Sequence, residues 1–360
     1  RLPPGRTGDF DDDGTDLVIS TNAWGLRGPD YDPATDRPIV VVLGDSYAFG
    51  WGVPENEAFP RRLETILARR WPRCRPLVIN AGIPGYGPLQ QRRMLQWLSR
   101  HVRPDLVITT FSLANDPIDE VRLARYAPDR LGRYVPRVRD PDSWQARLID
   151  HSRVLTLLNQ RTLHLQTYLA NAGPRARRLA AASLGALIED CRRLGAPVLL
   201  VTIPQRNQIR TGGLASRLTR LVTGALRALP AEVAARHDIP LVDLTPVLLE
   251  VHRREGAFLP HDAHWSVAGH RAVAETIADA VPGDHLCAGA KAAAGEQSDA
   301  ATGATGAAGV APDDAAAGAA DAGAAPRLDS LPAALYPCMV HGVNPYRGPP
   351  VQRDGRCGTS

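Results

Sequence analysis

The sequence predicts an α/β fold, a three-layer sandwich in which about five parallel strands form a sheet that helices cover on both faces. Two observations support this prediction. Short apolar runs alternate along the chain with segments whose apolar residues recur at helical spacing. Several of the apolar runs stop abruptly at polar or glycine-rich residues, and open α/β sheets place their ligands and chemistry at such strand ends.

The predicted elements follow one another in a regular order. Residues 17–20 read as a short strand that leads into a turn at 21–28. The main strands are predicted at 40–43, 76–80, 105–111, 197–203 and 239–244. Helices are predicted at 59–71, 88–101, 176–194, 214–236 and 267–280.

Composition divides the chain into parts. Residues 1–16 are polar and glycine-rich and are expected to form a flexible arm, whereas 17–286 are expected to form the globular domain. Within that domain, 117–172 are rich in Arg and interrupted by Pro, and we expect an insertion over the rim of the active site that sets substrate choice. Residues 287–326 read as a disordered Ala/Gly-rich linker because they lack large apolar side chains. The tail, 327–360, is expected to be disordered as well.

The balance of charge excludes one large class of partner. The 360 residues include 42 Lys and Arg and 38 Asp and Glu, for a net charge of +4. The basic residues are dispersed among acidic ones and no recognition motif is present, so we predict no nucleic-acid partner. No run reaches the roughly eighteen apolar residues of a membrane span. Because the chain starts at Arg1, a signal segment or membrane anchor before it is compatible with the sequence. A bacterial location is expected, either cytoplasmic or exported after removal of such a segment. The sequence does not predict the oligomeric state.

Neither a metal nor a cofactor is predicted. The acidic residues at 9–14 imitate the start of a calcium loop, but its twelfth position is Ser20 instead of glutamate. The cysteines are odd in number and include no close pair, so we expect isolated thiols instead of a zinc site or a disulfide scaffold. They are Cys74, Cys191, Cys287, Cys338 and Cys357.

Ser46 is the leading candidate for a catalytic residue. It follows the apolar run at 40–43 directly after Gly44 and Asp45. A serine hydroxyl is a weak nucleophile until a base accepts its proton. A candidate acid and base, Asp262 and His264, lie more than two hundred positions further on, so only folding can bring them to the serine.

Four motifs in this order resemble those of the SGNH (GDSL-type) hydrolase superfamily. The resemblance covers roughly residues 18–282. Gly44-Asp45-Ser46 with Gly50 is similar to the first motif, which carries the nucleophile, and Gly85 matches the glycine of the second. Asn115-Asp116 resembles the third motif, and Asp262 with His264 resembles the last. The resemblance implies the three-layer, flavodoxin-like fold.

Two positions depart from the family pattern. The third motif usually has a glycine two residues before its asparagine, and Leu113 stands there. The last motif commonly places Asp three residues before His, whereas Asp262 is two before His264 and His261 occupies the usual position. The Asp-x-His-Trp spacing is similar to that of the alginate-acetylation branch of the superfamily.

The resemblance implies a role for each site residue. Ser46 would be the nucleophile, His264 the general base and Asp262 the acid that orients the imidazole. The oxyanion hole would consist of the backbone N–H groups of Ser46 and Gly85 and the side-chain amide of Asn115.

Residues near these motifs have a structural interpretation. We expect Asp45 and Asp116 to fix their loops, and His270 to pack or hydrogen-bond where the final helix begins. These three are therefore left out of the catalytic set.

Three functions are compatible with these motifs. The first is a serine esterase that hydrolyses a short or medium acyl ester through an acyl-enzyme, with a deacetylated sugar or small metabolite as the expected product. The second is an O-acyltransferase that uses the same triad. The third is an inactive hydrolase scaffold that acts as a binding module. The partner in each case is a small-molecule or carbohydrate acyl ester.

Overall fold

The computed structural model describes twelve parts of the chain. Most of the predicted insertion, linker and tail, and the residue His261, lie outside them. The described residues are 1–12, 15–113, 115–123, 126–128, 134–136, 173–204, 206–209, 214–260, 262–283, 286–287, 350–353 and 356–359.

A five-stranded sheet forms the centre of the domain, and all its strand pairs are parallel. The predicted α/β fold is thereby confirmed. Side chains on four of the strands are buried along their whole length, as expected when helices cover both faces. In spatial order the strands are β4 (Leu77–Gly82), β3 (Ile39–Gly44), β5 (Leu106–Ser112), β8 (Val198–Ile203) and β9 (Leu241–Asp243).

Two layers of helices enclose the sheet. On one face pack α3 (Pro88–Leu98), α5 (Pro174–Arg193) and α7 (Leu214–Arg236). On the other pack α2 (Phe59–Arg70), α8 (Thr245–Arg254) and α9 (Val267–Ala280). The shorter helices are α1 (Ser46–Phe49), α4 (Asp116–Leu123), α6 (Arg206–Ile209) and a 3₁₀ turn at Glu55–Glu57.

The register of the central strands determines where the site lies. Gly44 pairs with Gly82, and Leu43 pairs with Thr109, so the ends of β3, β4 and β5 lie side by side. The loops after these three strands therefore share one edge of the sheet. In this topology that edge is the carboxyl edge, where open parallel sheets hold their ligands.

Part of the predicted flexible arm has regular structure. Strand β1 (Thr7–Asp12) pairs antiparallel with β2 (Thr15–Ser20). Leu2 is buried against the hydrophobic core, and its N–H donates to the carbonyl of Gly25 at 3.1 Å. The burial of Leu2 and the hydrogen bonds between β1 and β2 thus give regular structure to a segment whose polar, glycine-rich composition did not predict it.

Three further elements complete the fold. Helix α8 was not predicted from the sequence. Two short antiparallel hairpins are also described, β6 (Tyr126–Pro128) with β7 (Tyr134–Pro136), and β10 (Pro350–Arg353) with β11 (Arg356–Thr359). Within the described parts of the chain, no helix is both long enough and apolar enough to cross a membrane.

A disulfide corrects the expectation of isolated thiols. Cys74 follows α2 and Cys287 follows α9, and the two sulfurs are bonded although 213 positions separate them. Because α2 and α9 pack against each other, residues beyond their ends come within bonding distance, with a Cα–Cα distance of 5.7 Å. Cys191 is a free, buried thiol.

Candidate active site

Ser46 begins the short helix α1 immediately after strand β3. Asp45 caps this helix, since its carboxylate accepts the N–H of Tyr47 at 3.0 Å. The N–H of Ser46 is at the first position of a helix and has no carbonyl to pair with in the preceding turn. The turn is tight: a Cβ atom on Gly44 would lie 2.2 Å from the hydroxyl oxygen of Thr110, so only glycine fits there.

The structure brings the predicted serine, histidine and aspartate together. The Nε2 atom of His264 lies 2.7 Å from the Oγ atom of Ser46. On the other side of the ring, Nδ1 lies 2.7 Å from Oδ1 of Asp262. The same Oδ1 atom accepts the backbone N–H of His264 at 3.0 Å, so the carboxylate is held by two bonds to the histidine. The histidine thus bridges a hydroxyl and a carboxylate.

Two opposing effects determine the pKa of Asp262. Burial raises it, but the hydrogen bond and charge of His264 and two backbone N–H groups more than offset the burial, so the pKa lies below its ordinary value. Asp262 is therefore a carboxylate at neutral pH, able to accept a proton-bearing Nδ1 and to stabilise an imidazolium.

Aromatic residues from the nucleophile loop hold the histidine ring. The ring centroids of Tyr47 and His264 are 4.9 Å apart, and that of Trp51 lies 5.8 Å from the imidazole. The Tyr47 hydroxyl donates to the carbonyl of Ala263 at 3.0 Å, and its ring packs on the buried Trp265. The residues on either side of the histidine are thus held by the helix that carries Ser46.

Two predicted oxyanion donors lie on the loops after β4 and β5, the strands on either side of β3. Gly85 has φ of +78°, a left-handed conformation that favours glycine, and a Cβ there would meet no atom within 4 Å. Its N–H makes no hydrogen bond to another residue in the described parts of the chain. The Asn115 amide donates to Asp119 at 2.8 Å, and its carbonyl accepts the hydroxyl of Ser112 at 2.8 Å. These two bonds fix the orientation of the amide.

Two carboxylates beside the site are fully buried. Burial raises the pKa of Asp45 to about 6, although the N–H of Tyr47 and the charge of His264 oppose the shift. Burial, together with the charge of Asp45, raises the pKa of Asp116 well above its ordinary value. Asp116 accepts the N–H of Ser112 at 3.0 Å, as Asp45 accepts that of Tyr47, so both order the loops that carry site residues.

His270 has the structural role predicted for it. It is completely buried in the first turns of α9, and its Nδ1 accepts the N–H of Phe59 at 3.2 Å. Burial, with the nearby charge of Arg27 and other cations, lowers its pKa to about 3. His270 is therefore neutral at physiological pH.

Arg27 is a residue whose contribution the sequence did not reveal. Its buried guanidinium donates to the carbonyls of Phe49 at 3.2 Å, of Gly50, and of Val53 at 2.7 Å. The carbonyls of Phe49 and Gly50 lie at the C-terminal end of α1, where a cation opposes the partial negative charge of the helix end. Burial lowers the pKa of Arg27 to about 10, so the side chain remains a cation.

Among the residues that the structure describes, no three His, Cys, Asp or Glu side chains are grouped as the ligands of a metal ion.

The family of the chain follows from a comparison of its sequence with family models. The model of the GDSL-like lipase/acylhydrolase family matches residues 42–272, nearly two thirds of the chain. The chain belongs to the GDSL-like lipase/acylhydrolase family. It is an SGNH-type esterase, as its motifs predicted. No curated protein matches the sequence.

Solved structures of this type resemble the chain at low identity. A structure of TesA covers 66% of this chain and 95% of its own, with 18% identity and a TM-score of 0.40. The acetyl xylan esterase AlAXEase covers 68% of this chain and 99% of its own, with 17% identity and a TM-score of 0.41. A catalytic mutant of Axe2, an acetylxylan esterase from Geobacillus stearothermophilus, covers 67% and 92%, with 16% identity and a TM-score of 0.40.

Proposed function

We propose that this enzyme hydrolyses a short acyl ester through a covalent acyl-Ser46 intermediate, with His264 as general base and Asp262 as the orienting acid. The observation that carries the proposal is the pair of 2.7 Å contacts that His264 makes, one to the Ser46 hydroxyl and one to the Asp262 carboxylate. A hydroxyl hydrogen-bonded to a base that a third group orients is the arrangement that activates a serine.

In the acylation step, the Ser46 oxygen forms a bond to the ester carbonyl carbon while its proton passes to Nε2 of His264. The other ring nitrogen keeps its proton and donates it to Asp262 in a hydrogen bond, which stabilises the imidazolium. When the tetrahedral intermediate collapses, the bond to the alcohol oxygen breaks and the imidazolium returns the proton to it.

The negative charge on the intermediate needs donors that are already oriented. We assign this role to the N–H groups of Ser46 and Gly85 and the side-chain amide of Asn115. In support, Ser46 is at the start of a helix and the Gly85 N–H is not used by another described residue. Loss of one such donor typically costs a factor of about 100 to 1,000 in rate. Deacylation repeats the sequence with water in place of the serine.

A small acyl group is the substrate that we favour. Ser46 is only 2% exposed, and the rings of Tyr47 and Trp51 lie near its histidine partner. A nucleophile so enclosed leaves little room beside its hydroxyl, which favours acetyl over longer chains. A sugar or small metabolite would then be the alcohol.

Turnover of p-nitrophenyl esters from acetate to decanoate tests this proposal. We expect the highest kcat/KM for acetate or propionate, and a loss of at least about 1,000-fold in Ser46→Ala. Ser99→Ala, which changes a half-buried serine directly after α3, is the matched control and should retain wild-type activity. A fluorophosphonate should label the wild type and Ser99→Ala but not Ser46→Ala.

Two results would overturn the proposal. Equal turnover by wild type and Ser46→Ala would exclude the serine as nucleophile. A folded wild type that neither turns over an ester nor reacts with the fluorophosphonate would favour a binding module on this scaffold.

Acyl transfer to an alcohol other than water is the second candidate. The Asp262-x-His264-Trp265 spacing, which is similar to that of the alginate-acetylation branch, favours it. Adding sugar alcohols to the p-nitrophenyl acetate reaction separates the two functions. Transfer product in excess of free acetate at millimolar acceptor would replace the hydrolase assignment with a transferase assignment.

A further inference from the structure

The loop at residues 259–264, here called the acid–base loop, carries both Asp262 and His264. Its two ends are joined by a hydrogen bond from the N–H of Leu259 to the carbonyl of His264, at 2.9 Å. The N–H of Ser266 donates to the carbonyl of Ala257 at 3.0 Å just outside the loop. These bonds close the base of the loop, but they do not hold the part in between, where the carboxylate of Asp262 originates.

A cation from another element binds that middle part. The Nη1 atom of Arg206 lies 3.2 Å from the carbonyl oxygen of Leu259, 3.3 Å from that of Pro260 and 3.0 Å from that of Asp262. Arg206 is the first residue of α6, which follows the sheet strand β8. The side chain therefore ties the acid–base loop to the carboxyl edge of the sheet.

The contacts of Arg206 complement those of Tyr47. The Tyr47 hydroxyl binds the carbonyl of Ala263 from the side of the nucleophile helix. Arg206 binds carbonyls that precede and include Asp262 from the side of β8. Between them, the two side chains engage four carbonyls of the loop, and they do so from different elements of the domain.

We propose that Arg206 is a positioning residue for the Asp262–His264 pair, an inference that rests on the proposed function. Its guanidinium converges on three carbonyls and fixes the curvature of the loop. That curvature holds Oδ1 of Asp262 at 2.7 Å from the imidazole. Hydrogen bonds from a charged donor are stronger than neutral ones, and the planar guanidinium holds its donors in fixed directions.

Loss of the Arg206 side chain should affect the rate of catalysis and not the binding of the substrate. Without Arg206 the loop stays closed at its base, but the carboxylate samples positions in which it does not meet Nδ1. A displacement of about 1 Å in such a constellation can cost a factor of about 100 in rate. Within the described residues, the hydrogen bonds of the Arg206 side chain all go to the acid–base loop, so its loss should lower kcat and leave KM nearly unchanged.

Arg70 offers a matched control for the substitution. Like Arg206, it donates from Nη1 to a backbone carbonyl, that of Ala278 at 2.6 Å, and its Nη2 also pairs with the carboxylate of Asp279 at 2.7 Å. Its contact lies at the C-terminal end of α9, whereas the acid–base loop precedes the N-terminal end of that helix. Arg70→Met therefore removes the same kind of bond without loosening the loop.

The test compares Arg206→Met, Arg206→Lys and Arg206→Ala with wild type, Arg70→Met and Ser46→Ala, on p-nitrophenyl acetate. We expect Arg206→Met to lose 10- to 100-fold in kcat with KM within threefold, and to react more slowly with a fluorophosphonate. Arg206→Lys should recover part of the loss, and added guanidinium chloride at millimolar concentration should partly restore Arg206→Ala. Thermal denaturation should show that both Met variants are folded with similar Tm values.

The outcomes separate the two proposals. A folded Arg206→Met with kcat within twofold of wild type overturns the positioning role, and so does a loss no greater than that of Arg70→Met. If wild type and Ser46→Ala turn over the ester equally, the proposed function fails instead. In that case the positioning role fails with it, because it then has no reaction to support.

Discussion

The hydroxyl of Ser46 and the imidazole of His264 meet at 2.7 Å across 218 positions of the chain. Ser46 follows strand β3, and His264 precedes α9, which packs along α2 on one face of the sheet. The contact therefore depends on the tertiary packing of two helices against the sheet, not on local sequence. The histidine is further fixed by Asp262, and this relationship gives the first prediction.

Asp262→Asn should lower kcat by about 1,000- to 10,000-fold, because an amide that donates to Nδ1 favours the wrong tautomer of the imidazole. KM should change little. Steady-state kinetics on p-nitrophenyl acetate measures both. His261→Ala is the control, since His261 occupies the position where the family commonly has its acid, and it should stay within a few fold of wild type. A large loss in His261→Ala with little loss in Asp262→Asn would reverse the assignment.

Gly85→Ala tests the backbone donor of the second motif. Space for a methyl group is open, but φ of +78° costs an alanine about 1 to 2 kcal/mol. Relief of this strain would rotate the N–H that we assign to the oxyanion, so kcat should fall at least about 10-fold.

Gly256→Ala controls for the strain itself. Gly256 has φ of +83° and equally open space, and we assign it no donor role. Urea denaturation should give similar losses of stability for the two variants, while only Gly85→Ala loses activity. Equal kinetic effects would argue against Gly85 as a donor.

Asp45→Asn tests how much the buried, ionised carboxylate of Asp45 lowers the free energy of unfolding. The pKa of Asp45 in the folded protein is raised to about 6 by burial, from an ordinary value of 3.8. A group whose folded pKa is raised contributes stability below its unfolded pKa, and this contribution is lost as pH rises through its folded pKa. Asparagine keeps the cap on the Tyr47 N–H and never ionises. Relative to Asp45→Asn, the wild type should therefore lose about 2 kcal/mol of unfolding free energy between pH 4 and 7.

Urea denaturation at a series of pH values measures this difference. Asp105→Asn is the control, because Asp105 is exposed and its carboxylate also accepts one backbone N–H, that of Ile39 at 2.7 Å. The fall in stability that we assign to Asp45 should remain in Asp105→Asn. A parallel curve for Asp45→Asn would contradict the predicted burial cost.

Reduction of the Cys74–Cys287 disulfide should destabilise the domain. Closing a loop of this length removes chain entropy from the unfolded state worth about 5 kcal/mol by the loop-entropy model. We expect a fall of about 10 °C or more in Tm, measured by calorimetry with and without a reductant. The double variant Cys74→Ser/Cys287→Ser should behave as the reduced wild type.

Cys191 should resist alkylation in the folded protein, since burial raises its pKa to about 12.

The sheet and the four motifs could be read from the sequence because their signals are local. A run such as Val40–Leu43 identifies a buried strand, and the residue after it must lie at the edge of the sheet. Ser46, Gly85 and Asn115 follow three such strands, so their shared edge was predictable. Helix α9 was predicted at its observed bounds because its apolar spacing is regular.

The features that sequence reasoning missed depend on distant partners. The bond of Cys74 to Cys287 follows from the packing of α2 on α9, which no spacing reveals. Helix α8 is short, but the proline at its first turn and the basic residues in its last turn were signals that could have identified it. Arg206 lies in a segment without periodicity, and its carbonyl partners are 53 to 56 positions away.

The buried contacts of Arg27 have a practical consequence for where this domain begins. A shortened chain that starts at Pro38 would keep all five strands of the central sheet, yet it would leave the carbonyls of Phe49, Gly50 and Val53 without their cation. We therefore expect the minimal folding unit to extend upstream of the family match, which begins at residue 42. The segment that contains Arg27 supports the loop that carries Ser46, although it precedes the first strand of the central sheet. A truncated or fused form of the domain should therefore keep this segment.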